Sequence, residues 1–282
     1  SKSLAMSADW SSWAVFSPEG GSSLAAIDNG ANCRVWNLRD LTTLATFPVY
    51  KNETGRPFAW MCQQSLLFTP QGDSFVTCAN PIDKSPEITL WRTEGYKPLL
   101  PIEPSPKPTK GNPWFASLAL DRSGQRLLVV SPHQNVVSAI NLKTTEPIWS
   151  IPSLHGMPTS GTVSPDGKII AVGTQLGSVI LLNAETGEEL PKLLSHGTET
   201  VTAVAFDPEG TILVSAGKDR VIKLWDVASF EPFTLPPAHT ERIWHAGFSS
   251  NGRLLVTTGG ATVFDKLAWT HQGEVCLWDV TS

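Results

Sequence analysis

With 282 residues, 41% of them hydrophobic, the chain is long enough to bury a sizeable core. Charged residues make up 17% and the formal net charge is −5, which excludes a general cationic field for phosphate backbones and disfavours nucleic acid as a partner. No run of about 18 apolar residues occurs, and no basic region followed by an apolar stretch opens the chain, so no membrane partner, membrane span or secretory leader is expected.

Residues 3–8 precede a series of copies. The first copy reads as four strands at 13–16, 24–27, 34–38 and 43–47, with the turn Ser17-Pro18-Glu19-Gly20 after its first strand and Trp36-Asn37 closing its third. The second carries the turn Thr69-Pro70-Gln71-Gly72 and the pair Trp91-Arg92. The third places strands at 115–120, 126–130, 136–142 and 147–151 around Asp121-Arg122-Ser123-Gly124 and Ile140-Asn141. The fourth has Ser164-Pro165-Asp166-Gly167 and Leu182-Asn183.

The fifth copy is the clearest. Residues 201–206 alternate into Asp207-Pro208-Glu209-Gly210; a strand at 212–216, the tight turn Gly217-Lys218-Asp219-Arg220, a strand at 221–227 and a weaker one at 232–235 follow. The sixth has Ser249-Ser250-Asn251-Gly252 and Trp278-Asp279, and only two residues follow Val280, too few for a fourth strand. Leu4 and Met6 of segment 3–8 are expected to supply it as the outer strand of the last copy, leaving no open edge.

The six turn glycines are 52, 52, 43, 43 and 42 residues apart, the spacing of a four-stranded blade repeated around a propeller. No window of helical length shows a 3.6-residue apolar period, so the expected fold is all-β: a six-bladed β-propeller of four-stranded antiparallel blades, one domain over 1–282. The blades are expected near 9–50, 51–103, 104–153, 154–197, 198–240 and 241–282, with 3–8 as closing strand.

The Ser-Pro-Asp/Glu-Gly turns and the Leu-Trp-Asp-Val endings resemble WD-repeat β-propellers over essentially the whole chain. The fifth copy matches best, and the resemblance implies a hydrogen-bonded network of His196, Ser215, Asp219 and Trp225 linking loop, strands and turn. The third and fourth copies depart from it, with Ile140 and Leu182 at the tryptophan position. The resemblance also implies a scaffold or sensor role rather than catalysis.

No constellation points to chemistry. Ser215, His196 and Asp219 have the composition of a hydrolase triad, but Ser215 lacks a Gly-x-Ser-x-Gly turn and its strand would bury it. The six histidines, His133, His155, His196, His239, His245 and His271, have no ligand-pair spacing, and no glycine-rich phosphate loop appears, so neither metal nor cofactor is expected. Cys33, Cys62, Cys78 and Cys276 have no CxxC spacing and read as buried free thiols, which fits a cytoplasmic location. Asn52-Glu53-Thr54 is an isolated sequon. The chain begins at Ser1 rather than methionine, a start compatible with a larger polypeptide or complex.

Function is expected where the period breaks. From turn glycine to tryptophan position takes 15 or 16 residues in four copies and 26 in the sixth, an insertion within 259–273 that carries Phe264, Trp269 and His271. Long connections at 48–57 and at the proline-rich 101–113 are the other two departures. The resemblance places all three on one face. Trp10, Trp60, Trp114 and Trp244 stand at or near starts of innermost strands, with Arg56 and Arg242 close by; tryptophan with arginine is the composition of binding hot spots. The expected activity is binding of a protein or peptide at that face, with a channel-sited enzyme or small-ligand receptor as the alternative.

Overall fold

Short runs of β-branched and aliphatic residues, bounded by turns with glycine in the last position, fold into successive antiparallel meanders. The computed structural model describes residues 11–18, 20–28, 32–49, 66–79, 87–102, 117–153, 155–237, 239–265 and 268–280. Five sheets have four strands in sequential order and the sixth has three. The fold is all-β, of the six-bladed propeller class; among the described residues the one helical element is a 3-10 turn at Glu94–Tyr96. Cα packing divides the chain into two compact units, Ser1–Ser150 and Ile151–Ser282. The expected closing strand at 3–8 lies outside the described residues.

Six turns were expected to end in glycine, and in five of them one geometry shows why; in the first, Gly20 donates to the Pro18 carbonyl instead. Gly72, Gly124, Gly167, Gly210 and Gly252 have φ between 68° and 75°, the left-handed region that a Cβ disfavours. Each donates its N–H to the carbonyl three residues back, as Gly167 does to Ser164 at 2.8 Å. The proline of one turn packs on the glycine of the next: a Cβ on Gly124 would stand 2.9 Å from Pro70 Cδ, one on Gly210 3.2 Å from Pro165 Cδ, and one on Gly252 3.5 Å from Pro208 Cδ.

Within each unit the core lies between sheets. In the first, Ile27 and Val35 meet Phe75 and Trp91, and Ile88 and Leu90 meet Leu127 and Ile140. In the second, Val179 and Leu181 of the fourth sheet meet Val204, Leu213 and Trp225 of the fifth, whose Ile222 and Leu224 meet Ile243 and Leu255 of the sixth. Burying each such side chain stabilises by about 1.5–3 kcal/mol. Threonines add a polar clamp. Thr159 donates to the carbonyls of Gly173 and Val201, and Thr202 to those of Ala216 and Ile243, so each hydroxyl ties its own sheet to the first strand of the next. Both sit where the innermost strand slips register, between Pro158 and Ser160 and between Val201 and Ala203.

The sixth sheet departs in two ways. Its second and third strands, Leu254–Asp265 and Ala268–Asp279, have 12 residues each, against 5 or 6 in the fifth. Their ladder runs without interruption from Leu254 opposite Asp279 to Asp265 opposite Ala268. The inserted residues therefore form a β-ribbon rather than a loop. The second departure is burial. Val275 and Leu277 are 70% and 68% exposed, whereas Ile222 and Leu224, at the same register positions of the fifth sheet, are buried.

Candidate functional site

The strongest polar cluster of the fifth sheet is internal. His196 Nδ1 lies 2.8 Å from Ser215 Oγ and its Nε2 3.2 Å from Asp219 Oδ1, while Trp225 Nε1 donates to Ser215 Oγ at 2.9 Å. Ser215 is fully buried and its oxygen is enclosed between a histidine and an indole, which leaves no approach for a substrate carbonyl. Burial works to raise the Asp219 carboxyl, but hydrogen bonds from His196 and the Val221 N–H outweigh it and hold the carboxyl below its ordinary value. Gly217 makes room for the histidine: a Cβ there would stand 3.3 Å from His196 Nε2 and 2.6 Å from the Thr200 carbonyl.

A second cluster, which sequence reasoning missed, occupies the sixth sheet. His239 Nε2 lies 2.7 Å from Thr257 Oγ1, Trp278 Nε1 donates to the same hydroxyl at 3.0 Å, and His239 Nδ1 lies 3.2 Å from Glu274 Oε2. Glu274, at the base of the ribbon, stands where the fifth sheet uses a turn aspartate. The Thr240 hydroxyl donates to Glu274 Oε1, and the N–H groups of Thr240 and Glu241 add 3.1 and 3.3 Å bonds to its Oε2. The Thr240 hydroxyl first, then these N–H groups and His239, lower the Glu274 carboxyl to about 2.

A signal for this cluster was present in the sequence as a pairing. The residue two past the one opposite the tryptophan carries a hydroxyl in three sheets: Thr77 under Trp91 at 2.8 Å, Ser215 under Trp225 and Thr257 under Trp278. Where the third and fourth sheets replace tryptophan by Ile140 and Leu182, Val129 and Val172 stand at that place. The first sheet is the exception: Trp36 stands opposite Leu24, and Ala26 occupies the place of the hydroxyl.

Above the sixth-sheet cluster lies the exposed part of the site. The register slip between Ile243 and His245 puts Trp244 where the two preceding sheets have their clamping threonines. Its Nε1 donates to the Gly260 carbonyl at 3.0 Å, Arg242 Cζ stands 5.5 Å from its ring centroid, and 40% of the residue remains exposed. Gly260 N–H returns a 3.0 Å bond to the Arg242 carbonyl, so the ribbon base holds the arginine and the tryptophan together. From the fifth sheet, Arg220 Nη1 reaches the Thr240 carbonyl at 3.4 Å.

Of the residues proposed from sequence for partner binding, the structure brings together Arg242 and Trp244 and seats them at the ribbon. Phe264 and Trp269 are register partners in the ribbon ladder, and His271 is opposite Thr262. Trp10, Arg56, Trp60 and Trp114 lie outside the described residues. Among the described residues no three His, Cys, Asp or Glu side chains gather as a metal-ligand group, and no helix is long and apolar enough to cross a membrane.

A family model described as "WD domain, G-beta repeat" matches residues 187–226 and 231–279. Each match contains one of the buried histidines His196 and His239 and the Trp-Asp pair that ends the third strand of its sheet. The fifth and sixth sheets are thus recognised as WD repeats. The chain is 32% identical over 109 residues to "Meiotic recombination protein rec14" of Schizosaccharomyces pombe, covering 36% of each protein. It is 30% identical over 141 residues to "WD repeat-containing protein SL1-17" of Schistosoma mansoni, covering 50% of this chain and 44% of that one. It is 27% identical over 131 residues to "Echinoderm microtubule-associated protein-like 2" of Mus musculus, covering 45% of this chain and 20% of that one. The matched region thus spans less than half the length of each of these relatives. WD-repeat propellers generally serve in protein interaction and are generally non-catalytic.

Proposed function

We propose that this WD-repeat chain is a non-catalytic scaffold or sensor module that binds a protein or peptide at the ribbon end of its sixth sheet. The observation that carries this reading is Trp244: a large aromatic ring fixed through its N–H and by an arginine on its face, yet 40% exposed. A ring already immobilised loses little entropy on binding, the property that makes tryptophan and arginine hot-spot residues. Phe264, Trp269 and His271 of the ribbon, with Trp10, Arg56, Trp60 and Trp114, belong to that surface on the sequence reading. Buried free thiols at Cys33 and Cys78 support a reducing, cytoplasmic setting.

Panning a displayed library of random dodecapeptides against the whole chain tests the reading. Peptides with a common motif are expected to be enriched, and Trp244→Ala and Trp269→Ala are expected to weaken their binding at least tenfold with the melting temperature unchanged. Selected peptides that bind both variants as well as the parent would overturn it.

A further inference from the structure

The turn before the third strand in the third, fourth and fifth sheets ends on a residue in the left-handed region, bonded back to the carbonyl three residues earlier: Asn135 (φ 53°), Gly177 (φ 80°) and Arg220 (φ 69°). Asparagine and glycine are the residues that tolerate this conformation, whereas an arginine there is disfavoured. The position gives up local backbone preference and keeps a long cationic side chain in its place. That side chain leans on the Thr240 carbonyl, beside the segment that carries Arg242 and Trp244.

Charges around this point are sorted by depth. Lys218, Arg220 and Arg242 are exposed. Two of the carboxylates beside them are occupied internally: Asp219 by His196 and the Val221 N–H, and Glu274 by Thr240, the Glu241 N–H and His239. Neither Arg220 nor Arg242 is paired with a carboxylate among the described residues. Arg242 Cζ stands 5.5 Å from the Trp244 ring centroid, and its guanidinium fork is the group suited to bidentate carboxylate recognition.

We infer that the partner segment is an acidic peptide, in which carboxylate side chains meet Arg220 and Arg242 and an apolar side chain covers the exposed face of Trp244. This rests on the proposed binding role and specifies its ligand. An acidic ligand gives these outward cations an intermolecular pairing, and rim charges of this kind act mainly on association rate and selectivity.

The test uses two fluorescein-labelled dodecapeptides, one alternating glutamate with leucine and one alternating lysine with leucine, titrated onto the whole chain by fluorescence anisotropy. The glutamate peptide is expected to bind at least tenfold more tightly than the lysine peptide, and to lose at least fivefold of that affinity between 50 and 500 mM salt. Arg220→Gly combined with Arg242→Gln is expected to abolish the preference. Arg220→Gly alone relieves the left-handed turn, so its melting temperature should hold or rise while glutamate-peptide binding falls, which separates recognition from folding. Equal binding of the two peptides, or an undiminished preference in the double variant, would overturn the inference. If library panning still yields Trp244-dependent peptides of neutral or basic character, the binding role stands and the acidic ligand falls.

Discussion

His239 Nδ1 stands 3.2 Å from Glu274 Oε2, the separation between His196 Nε2 and Asp219 Oδ1 one sheet earlier. The acid has moved from the turn to the third strand, where the ribbon begins, and from there it also holds Thr240 and the Glu241 N–H. One carboxylate thus ties the loop that leads through Arg242 into the strand of Trp244 to the base of the ribbon.

The pH dependence of that tie follows from its carboxyl. Glu274 has a folded value of about 2 against an ordinary 4.5, so its contribution is fully present above 4.5 and is lost as pH falls from 4.5 towards 2. Glu274→Gln is expected to lower the melting temperature at pH 7, with the difference from the parent shrinking between pH 5 and pH 3. A difference that stays constant over that range would show that the carboxylate charge is not what holds the loop.

Leu224 and Leu277 occupy the same position in consecutive sheets, one fully buried and one 68% exposed. Leu224→Ala should cost about 2–5 kcal/mol in urea unfolding, as a large-to-small change in a core. Leu277→Ala should cost under about 0.5 kcal/mol. Equal losses would mean that the sixth sheet is covered in solution.

Thr202 joins two sheets through one hydroxyl, to the carbonyls of Ala216 and Ile243. Thr202→Val keeps the shape and removes the donor, leaving a carbonyl in a buried setting; a loss of about 1–3 kcal/mol is expected. Hydrogen exchange should rise in Ile243–Phe248 more than in Ile169–Thr174, which lies on the other side of the fifth sheet. A uniform rise would argue against a local clamp.

Gly217 tests the seating of the buried histidine. Its added Cβ would lie 2.6 Å from a backbone carbonyl that cannot swing away, so Gly217→Ala is expected to cost about 1–3 kcal/mol through overpacking. Trp225→Ala, which opens a cavity and removes one of the two hydrogen bonds at Ser215 Oγ, should cost about 3–5 kcal/mol. Chemical denaturation of the two variants beside the parent measures both.

The strands were legible because turn glycines and alternating residues depend on local backbone preference, and a repeat states that preference several times. Val201–Phe206 and Ile212–Gly217 lie within a residue of where periodicity puts them. The hydroxyls beneath Trp91 and Trp278 were harder to read, since Thr77 and Thr257 become their partners only once register is known. Glu274 was overlooked for the same reason: it replaces a turn residue from 34 or 35 positions beyond the loop it binds. The inserted stretch was visible as extra length between Gly252 and Trp278, but length alone does not distinguish a loop from paired strands. Arg242 and Trp244 could be read as neighbours in sequence, whereas their fixing by Gly260 is a tertiary fact.

The continuous ladder from Leu254–Asp279 to Asp265–Ala268 makes the ribbon a modular appendage with a minimum unit of change. Removing one residue from one strand would turn every side chain beyond it to the opposite face, while removing facing residues two pairs at a time would shorten the projection and leave the rest in phase. The reach of this appendage can therefore vary in steps of about 7 Å, two residues of strand rise, without disturbing the histidine cluster at its root.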